Sequence, residues 1–242
     1  MPMQLEHEHT REAIRARLNA ENHPNYLRDW VYGGIDGAIT TFAVVAGVVG
    51  AGLSSKVILI LGVANLLADG LSMAASNYSG TKTEVDELAR YREIEERHID
   101  QEPDGEREEV RQLLEFKGLS GQALEDAVRA ITSNRDTWVN TMLAEEYGLS
   151  TNLRSPLKSG LSTFVSFMVF GLIPLLPYML GMSAAFQISL VTTFFAFFAI
   201  GSIKSRWALA SWWWSGMETL MIGAAACAMA YGVGWLADRI LA

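Results

Sequence analysis

Residues 57–102 read VILILGVANLLADGLSMAASNYSGTKTEVDELARYREIEERHIDQE, a stretch that begins almost uncharged, ends densely acidic and contains no proline. The apolar character gives way near Tyr78, yet helix-forming residues continue to Glu102, so the pattern predicts one unbroken helix. At about 1.5 Å per residue such a helix is about 70 Å long, roughly twice the hydrocarbon thickness of a bilayer. If its first half lies in a membrane, its second half must stand in water.

Working outward, the rest of the chain separates in the same way. Half of the 242 residues are apolar, but the mean hydropathy is only +0.17, an average over two very different kinds of segment. Glu84 to Leu153 holds 18 Asp and Glu against 8 Lys and Arg, a net of −10, whereas the remainder nets +2. Outside that insert five apolar runs are long enough to cross a bilayer, which takes about 20 helical residues. They are Tyr32 to Leu53, Val57 to Tyr78, Leu161 to Leu180, Ser183 to Ile203 and Gly216 to Ala237. Five such helices are too many for the core of one small soluble protein. The polar first 28 residues contain no apolar signal-peptide core, so no cleavage is expected.

Basic residues set the expected orientation. Arg11, Arg15, Arg17 and Arg28 precede the first span, Lys82, Arg154 and Lys158 flank the insert, and Lys204 and Arg206 lie between the fourth and fifth spans. Five crossings put all of these on the cytosolic side. The expected fold is an all-α membrane protein of five transmembrane helices, with a cytosolic helical metal-binding domain inserted between helices 2 and 3. Its parts are a cytosolic arm (1–28), helices 1–2 (29–83), the acidic domain (84–153) and helices 3–5 (154–242). Within the insert, the Pro103-Asp104-Gly105 turn is expected to stop the long helix, with Asp104 capping a helix from Gly105 to Phe116. Further helices over Gly121–Ser133 and Arg135–Tyr147 follow, the last ended by Gly148.

Chemistry concentrates in two places. In the insert, Glu95 and His98 are three apart on one helix face, Glu106 and Glu109 are three apart after the turn, and Met142 and Glu146 are four apart on the last helix. Carboxylates alone suit Mg²⁺, Ca²⁺ or Mn²⁺, while an imidazole and a thioether shift the preference toward Fe²⁺, Zn²⁺ or Co²⁺. The alternative is a solvated acidic helix hairpin. In the membrane spans, Asp36 sits in GGIDGAIT, and Asn65, Asp69 and Met73 recur every four residues on one stripe. Intramembrane carboxylates are costly and commonly line ion or proton paths. Gly33, Gly34, Gly37 and Gly47 would let a neighbouring helix approach the first span closely.

Other features have plainer readings. Lys204, Arg206, Trp207 and SWWWSGME suit an interfacial anchor, Glu218 suits pairing with Lys204 or Arg206, and Pro174 and Pro177 should kink the third span. Cys227, the single cysteine, fits a small buried side chain. The EHEH motif at Glu6–His9 reads as a mobile arm.

The stretches DWVYGGIDGAITTFAVVAGVVGA, NLLADGLSMAASNY, GLIPLLPY and GSIKSRW, with the acidic insert between them, make the chain resemble the vacuolar iron transporters of plants and yeast from about Asp29 onward. The resemblance implies a homodimer with five membrane helices per chain that exports Fe²⁺ from the cytosol in exchange for protons, and so a transporter and not an enzyme. It also implies that Asp36 and Met73 belong to the membrane path, and that Glu95, Glu106, Glu109, Met142 and Glu146 are cytosolic metal ligands. Three positions depart from the family pattern: Asn65 and His98 stand where plant members have glutamate, and Leu143 where a second methionine is expected. Mn²⁺, Zn²⁺ and Co²⁺ are further candidate ions. The expected partners are a second copy and the lipid bilayer, of plasma (inner) or vacuolar type, with no nucleic acid. The competing reading is a membrane-anchored iron buffer or di-iron oxidase. Ferritin-like di-iron sites need Glu-x-x-His on each of two helices, and the insert offers it once, from Glu95 to His98.

Overall fold

The computed structural model describes residues 8–19 and 24–241, and among these it contains helices and no strand. The quoted stretch is a single helix, α3, after α1 (Arg11–Asn19) and α2 (Leu27–Gly50). It runs unbroken for 47 residues, from Ser55 to Gln101. The chain divides into two compact units, and α3 contributes to both. One unit is built on Tyr91–Leu153 with the described N-terminal residues up to Asn25, the other on Tyr26–Arg90 and the described residues from Arg154 onward. The EHEH motif is only half described, because Glu6 and His7 lie outside the described residues.

The larger unit holds α2, the first part of α3, α7 (Pro156–Leu172), α8 (Leu176–Met179), α9 (Ala185–Lys204) and α10 (Trp212–Leu241). Among the described residues four helices, α2, α3, α9 and α10, are long and apolar enough to cross a membrane, and α7 is apolar but only 17 residues long. The expected third span is not one helix: it breaks at Leu172 and resumes as α8 after a turn. Pro174 and Pro177 have no N–H to continue the ladder, and the Pro174 carbonyl accepts instead from Ser189 Oγ at 2.8 Å. Phe42, Val45, Ile58, Leu66, Phe167, Phe197 and Cys227 form the buried core.

Outward faces of this unit are apolar, with Ile60, Leu61, Leu67 and Leu71 exposed on α3 and Met221, Ile222, Met229 and Val233 on α10. Both ends of α10 carry tryptophan: Trp212, Trp213 and Trp214 are exposed at its start, and near its end Trp235 lies under Arg239 at 4.2 Å. Glu218 pairs with Lys204 at 3.2 Å, one of the two expected partners.

The close approach expected along α2 is present. A Cβ added at Gly33 would stand 2.3 Å from the Thr163 carbonyl oxygen, and one at Gly37 would stand 2.4 Å from that of Phe167, both on α7. Backbone cannot step aside as a flexible side chain can. Gly37→Ala is therefore expected to destabilise the protein by about 1 to 3 kcal/mol. Thermal unfolding in detergent measures this, and an unchanged midpoint would mean that α2 and α7 are not in such close contact.

The smaller unit adds α4 (Pro103–Phe116), α5 (Gly121–Thr132) and α6 (Arg135–Glu145) to the end of α3. Ile99, Val110, Leu124, Val128, Trp138, Val139, Met142 and Leu143 are its buried apolar residues. Asp104 is not a cap: α4 begins two residues before the expected Gly105, at Pro103, and Asp104 pairs with Arg107 at 2.7 Å. Proline at the first helical position has its φ preset and no N–H left unbonded, so the helix starts there. Asn134 caps α6 by accepting from Thr137 N–H at 2.9 Å. Gly148, at φ +66°, turns the chain so that Leu149 N–H reaches the Leu143 carbonyl.

Candidate metal centre and membrane path

The end of α3 and the start of α4 bring Glu95, His98 and Glu106 together. His98 Nδ1 lies 3.3 Å from Glu106 Oε1 and 3.9 Å from Glu95 Oε1. Both glutamates are buried, unusual for an acid in a small helical unit, and the second carboxylate oxygen of each has no hydrogen-bond partner. Two buried carboxylate oxygens without donors are an arrangement that a cation would relieve. Burial, together with the charges of Glu95, Glu109 and Glu146, pushes Glu106 up to about 8. Burial also raises Glu146, with Glu95 and Glu109 adding to the effect. The four carboxylates therefore act on one another as a group. Met142 is fully buried on α6, one turn before Glu146.

Among the described residues no set of three or more His, Cys, Asp or Glu side chains is gathered tightly enough to hold an ion as it stands. Like charges without a cation between them repel, and Glu109 and Glu146, the outer pair, are exposed.

Sequence reasoning missed Tyr147, whose hydroxyl donates to Glu95 Oε1 at 2.9 Å and whose ring packs 4.4 Å from that of Tyr91. Burial and the bonded Glu95 hold this phenol well above its ordinary pKa, so it stays a donor. Its signal was its place next to Glu146. Tyr147→Phe is expected to cost about 1 to 3 kcal/mol, because a buried carboxylate oxygen loses its donor. Thermal unfolding of the metal-free protein tests this, and no change would make the bond incidental.

In the larger unit, Asn65, Asp69 and Met73 are half-buried on one stripe of α3, as their spacing predicts. The Asn65 amide nitrogen is buried without an acceptor, and Met73 packs against the core. Asp36 on α2 is half-buried, and it and Asp69 lie near enough for their charges to act on each other.

The stripe runs one step further than the sequence reading took it, to Asn77. That amide donates to Asp29 Oδ1 at 3.0 Å, to Thr163 Oγ1 at 2.7 Å and to the Ser159 carbonyl at 3.2 Å. Arg154 pairs with the same Asp29 oxygen at 2.5 Å, and Tyr26 Oη accepts from Ser155 N–H at 3.0 Å. The interval of four from Asn65 through Met73 could have revealed Asn77; nothing in the spacing signals Arg154.

The family model described as the VIT family matches residues 27–235. The chain is 36% identical over 210 residues to a vacuolar iron transporter of Centaurea cyanus, covering 86% of each chain. It is 34% identical over 208 residues to vacuolar iron transporter 1 of Arabidopsis thaliana, covering 85% of this chain and 83% of that one. A vacuolar iron transporter of Toxoplasma gondii is 33% identical over 237 residues, covering 91% and 78%. One family model spans nearly the whole chain, and relatives more than 30% identical match along most of it: the chain belongs to the VIT family.

Proposed function

We propose that this protein is a secondary transporter that exports Fe²⁺ from the cytosol in exchange for protons. The observation that carries the reading is that Asp36 on α2 and Asp69 on the polar stripe of α3 are half-buried carboxylates on helices long and apolar enough to cross a membrane. Relatives named as iron transporters supply the ion. Asp36 alternates between metal and proton, Met73 offers a soft sulfur, and Asn65 and Asp69 complete the polar stripe. Glu95, His98, Glu106, Glu109, Met142 and Glu146 collect the ion beforehand, and this donor set also suits Mn²⁺, Zn²⁺ or Co²⁺.

In this reading α2, α3, the α7–α8 pair, α9 and α10 make five crossings, with the N-terminus and the acidic unit in the cytosol. The apolar outer face of α3 favours a homodimer with the path near its axis. The membrane is a plasma (inner) or vacuolar-type one. Metal flux into sealed vesicles of purified protein, with and without a pH gradient, tests the proposal. Flux that responds to the gradient supports it, and saturable binding without flux would make the protein a buffer. Met73→Leu, nearly isosteric but without sulfur, is expected to lower Fe²⁺ flux by about tenfold while the melting temperature holds. Equal flux would return Met73 to packing.

A further inference from the structure

Asp29, at the start of α2, is 2% exposed and is bonded through one oxygen only. Oδ1 takes both the Asn77 amide and the Arg154 guanidinium, while the equally buried Oδ2 has no partner. Ser159, whose carbonyl accepts from the same Asn77, keeps a fully buried hydroxyl without a partner as well. A buried ion pair kept for stability alone is expected to satisfy both carboxylate oxygens, as a bidentate guanidinium fork does. Here a cationic group uses one oxygen, and a second carboxylate oxygen and a hydroxyl are left over. Such an oxygen lining suits a divalent cation.

Two further observations give the site a direction. Asn77 is one helical turn from Met73 on the same stripe, and Asp29 is two turns from Asp36 on α2, so the site lies at one end of the polar path. Arg154 also has a second carboxylate within reach, since its Nη2 is 3.8 Å from Oε2 of the half-exposed Glu84. An arginine between two carboxylates, one buried and one wet, can change partners by side-chain rotation alone.

We propose that Asp29 is a further cation-binding carboxylate of the membrane path and that Arg154 is its tethered gate. The guanidinium holds the site until an arriving divalent ion displaces it toward Glu84. Arg154 is the first residue after the smaller unit in the chain. This inference rests on the transport reading above.

The test uses full-length protein in sealed vesicles with Fe²⁺ flux as the readout, beside melting temperatures in detergent. The double variant Asp29→Asn/Arg154→Gln removes both charges but keeps hydrogen-bonding groups of similar shape, and is expected to lose flux by about tenfold or more. Glu84→Gln alters an exposed side chain, so it folds; it is expected to lower maximal flux about threefold at an unchanged melting temperature, because the displaced arginine has lost its resting place. Arg154→Lys, a compact charge in place of the fork, is expected to lower the apparent KM by about the same factor. A double variant transporting at the wild-type rate would make the pair purely structural and overturn the proposal, as would unchanged kinetics in both Glu84→Gln and Arg154→Lys. Wild-type protein without flux would overturn the transport reading and this inference together, whereas wild-type flux with unaltered variants overturns the gate alone.

Discussion

Asp36→Asn is expected to abolish proton-coupled Fe²⁺ flux, a loss of about 100-fold or more, while leaving the protein folded. The amide matches the carboxylate in size but carries no charge and takes up no proton, so it can neither hold a divalent ion nor exchange it for H⁺. Stability should change little, since Asp36 is only half-buried and the substitution removes its repulsion with Asp69. The smaller unit should still bind metal, because none of its proposed ligands is touched. Flux in sealed vesicles, paired with metal titration of the same preparation, separates the two effects. Wild-type flux in the variant would pass the role to Asp69, and loss of binding as well would point to misfolding.

The second large effect is on metal capture by the smaller unit. Glu106 titrates near 8 in the metal-free protein because it is buried among Glu95, Glu109 and Glu146. A divalent ion needs the ionised carboxylate, so each ion bound below that pH must expel a proton. Lowering the pH from about 8.5 to about 6.5 is therefore expected to weaken Co²⁺ binding by about 10- to 100-fold. Ligation by His98 needs a neutral imidazole, so His98→Glu is expected to change the pH dependence of binding. If wild type and His98→Glu show one pH dependence, His98 is not a ligand.

The same shift affects stability in the opposite sense. Because the folded-state pKa of Glu106 lies above its ordinary 4.5, protonation stabilises the metal-free fold. That contribution is fully present below about 4.5 and is lost as the pH rises through about 8. Metal-free protein should thus melt lower at pH 9 than at pH 6, and Glu106→Gln should flatten the difference. A flat wild-type profile would mean that Glu106 is not held protonated.

How much of this was legible in the sequence depended on whether the signal was local. The unbroken α3 followed from the absence of proline and from continuous helix formers, and its bounds moved by only a residue or two. The start of α4 was misplaced because the cap was sought in Asp104, when proline at the first position fixed the helix by its ring. Periodicity identified the stripe of Asn65, Asp69 and Met73, since intervals of four are a property of one helix. Pairing across helices has no such period. Tyr147 reaches Glu95 from 52 positions away, and Arg154 reaches Asp29 from 125 away, so neither could be read from spacing. In the third span Pro174 and Pro177 signalled the interruption, but hydropathy alone could not show that the helix stops at Leu172 and resumes as the separate α8.

The tryptophans at the two ends of α10 have a mechanical consequence. Indole rings settle at the headgroup level, so in the proposed membrane arrangement Trp213 and Trp235 act as floats at opposite surfaces. They are about 22 residues apart, which at about 1.5 Å each separates them by about 33 Å, close to the roughly 30 Å of a typical hydrocarbon layer. The helix is in effect a ruler. In a lipid layer of matching thickness it stands nearly upright, and in a thinner one it has to lean. Leaning would drag the neighbouring helices packed against it, so lipid chain length becomes a variable that the rate of this protein should register.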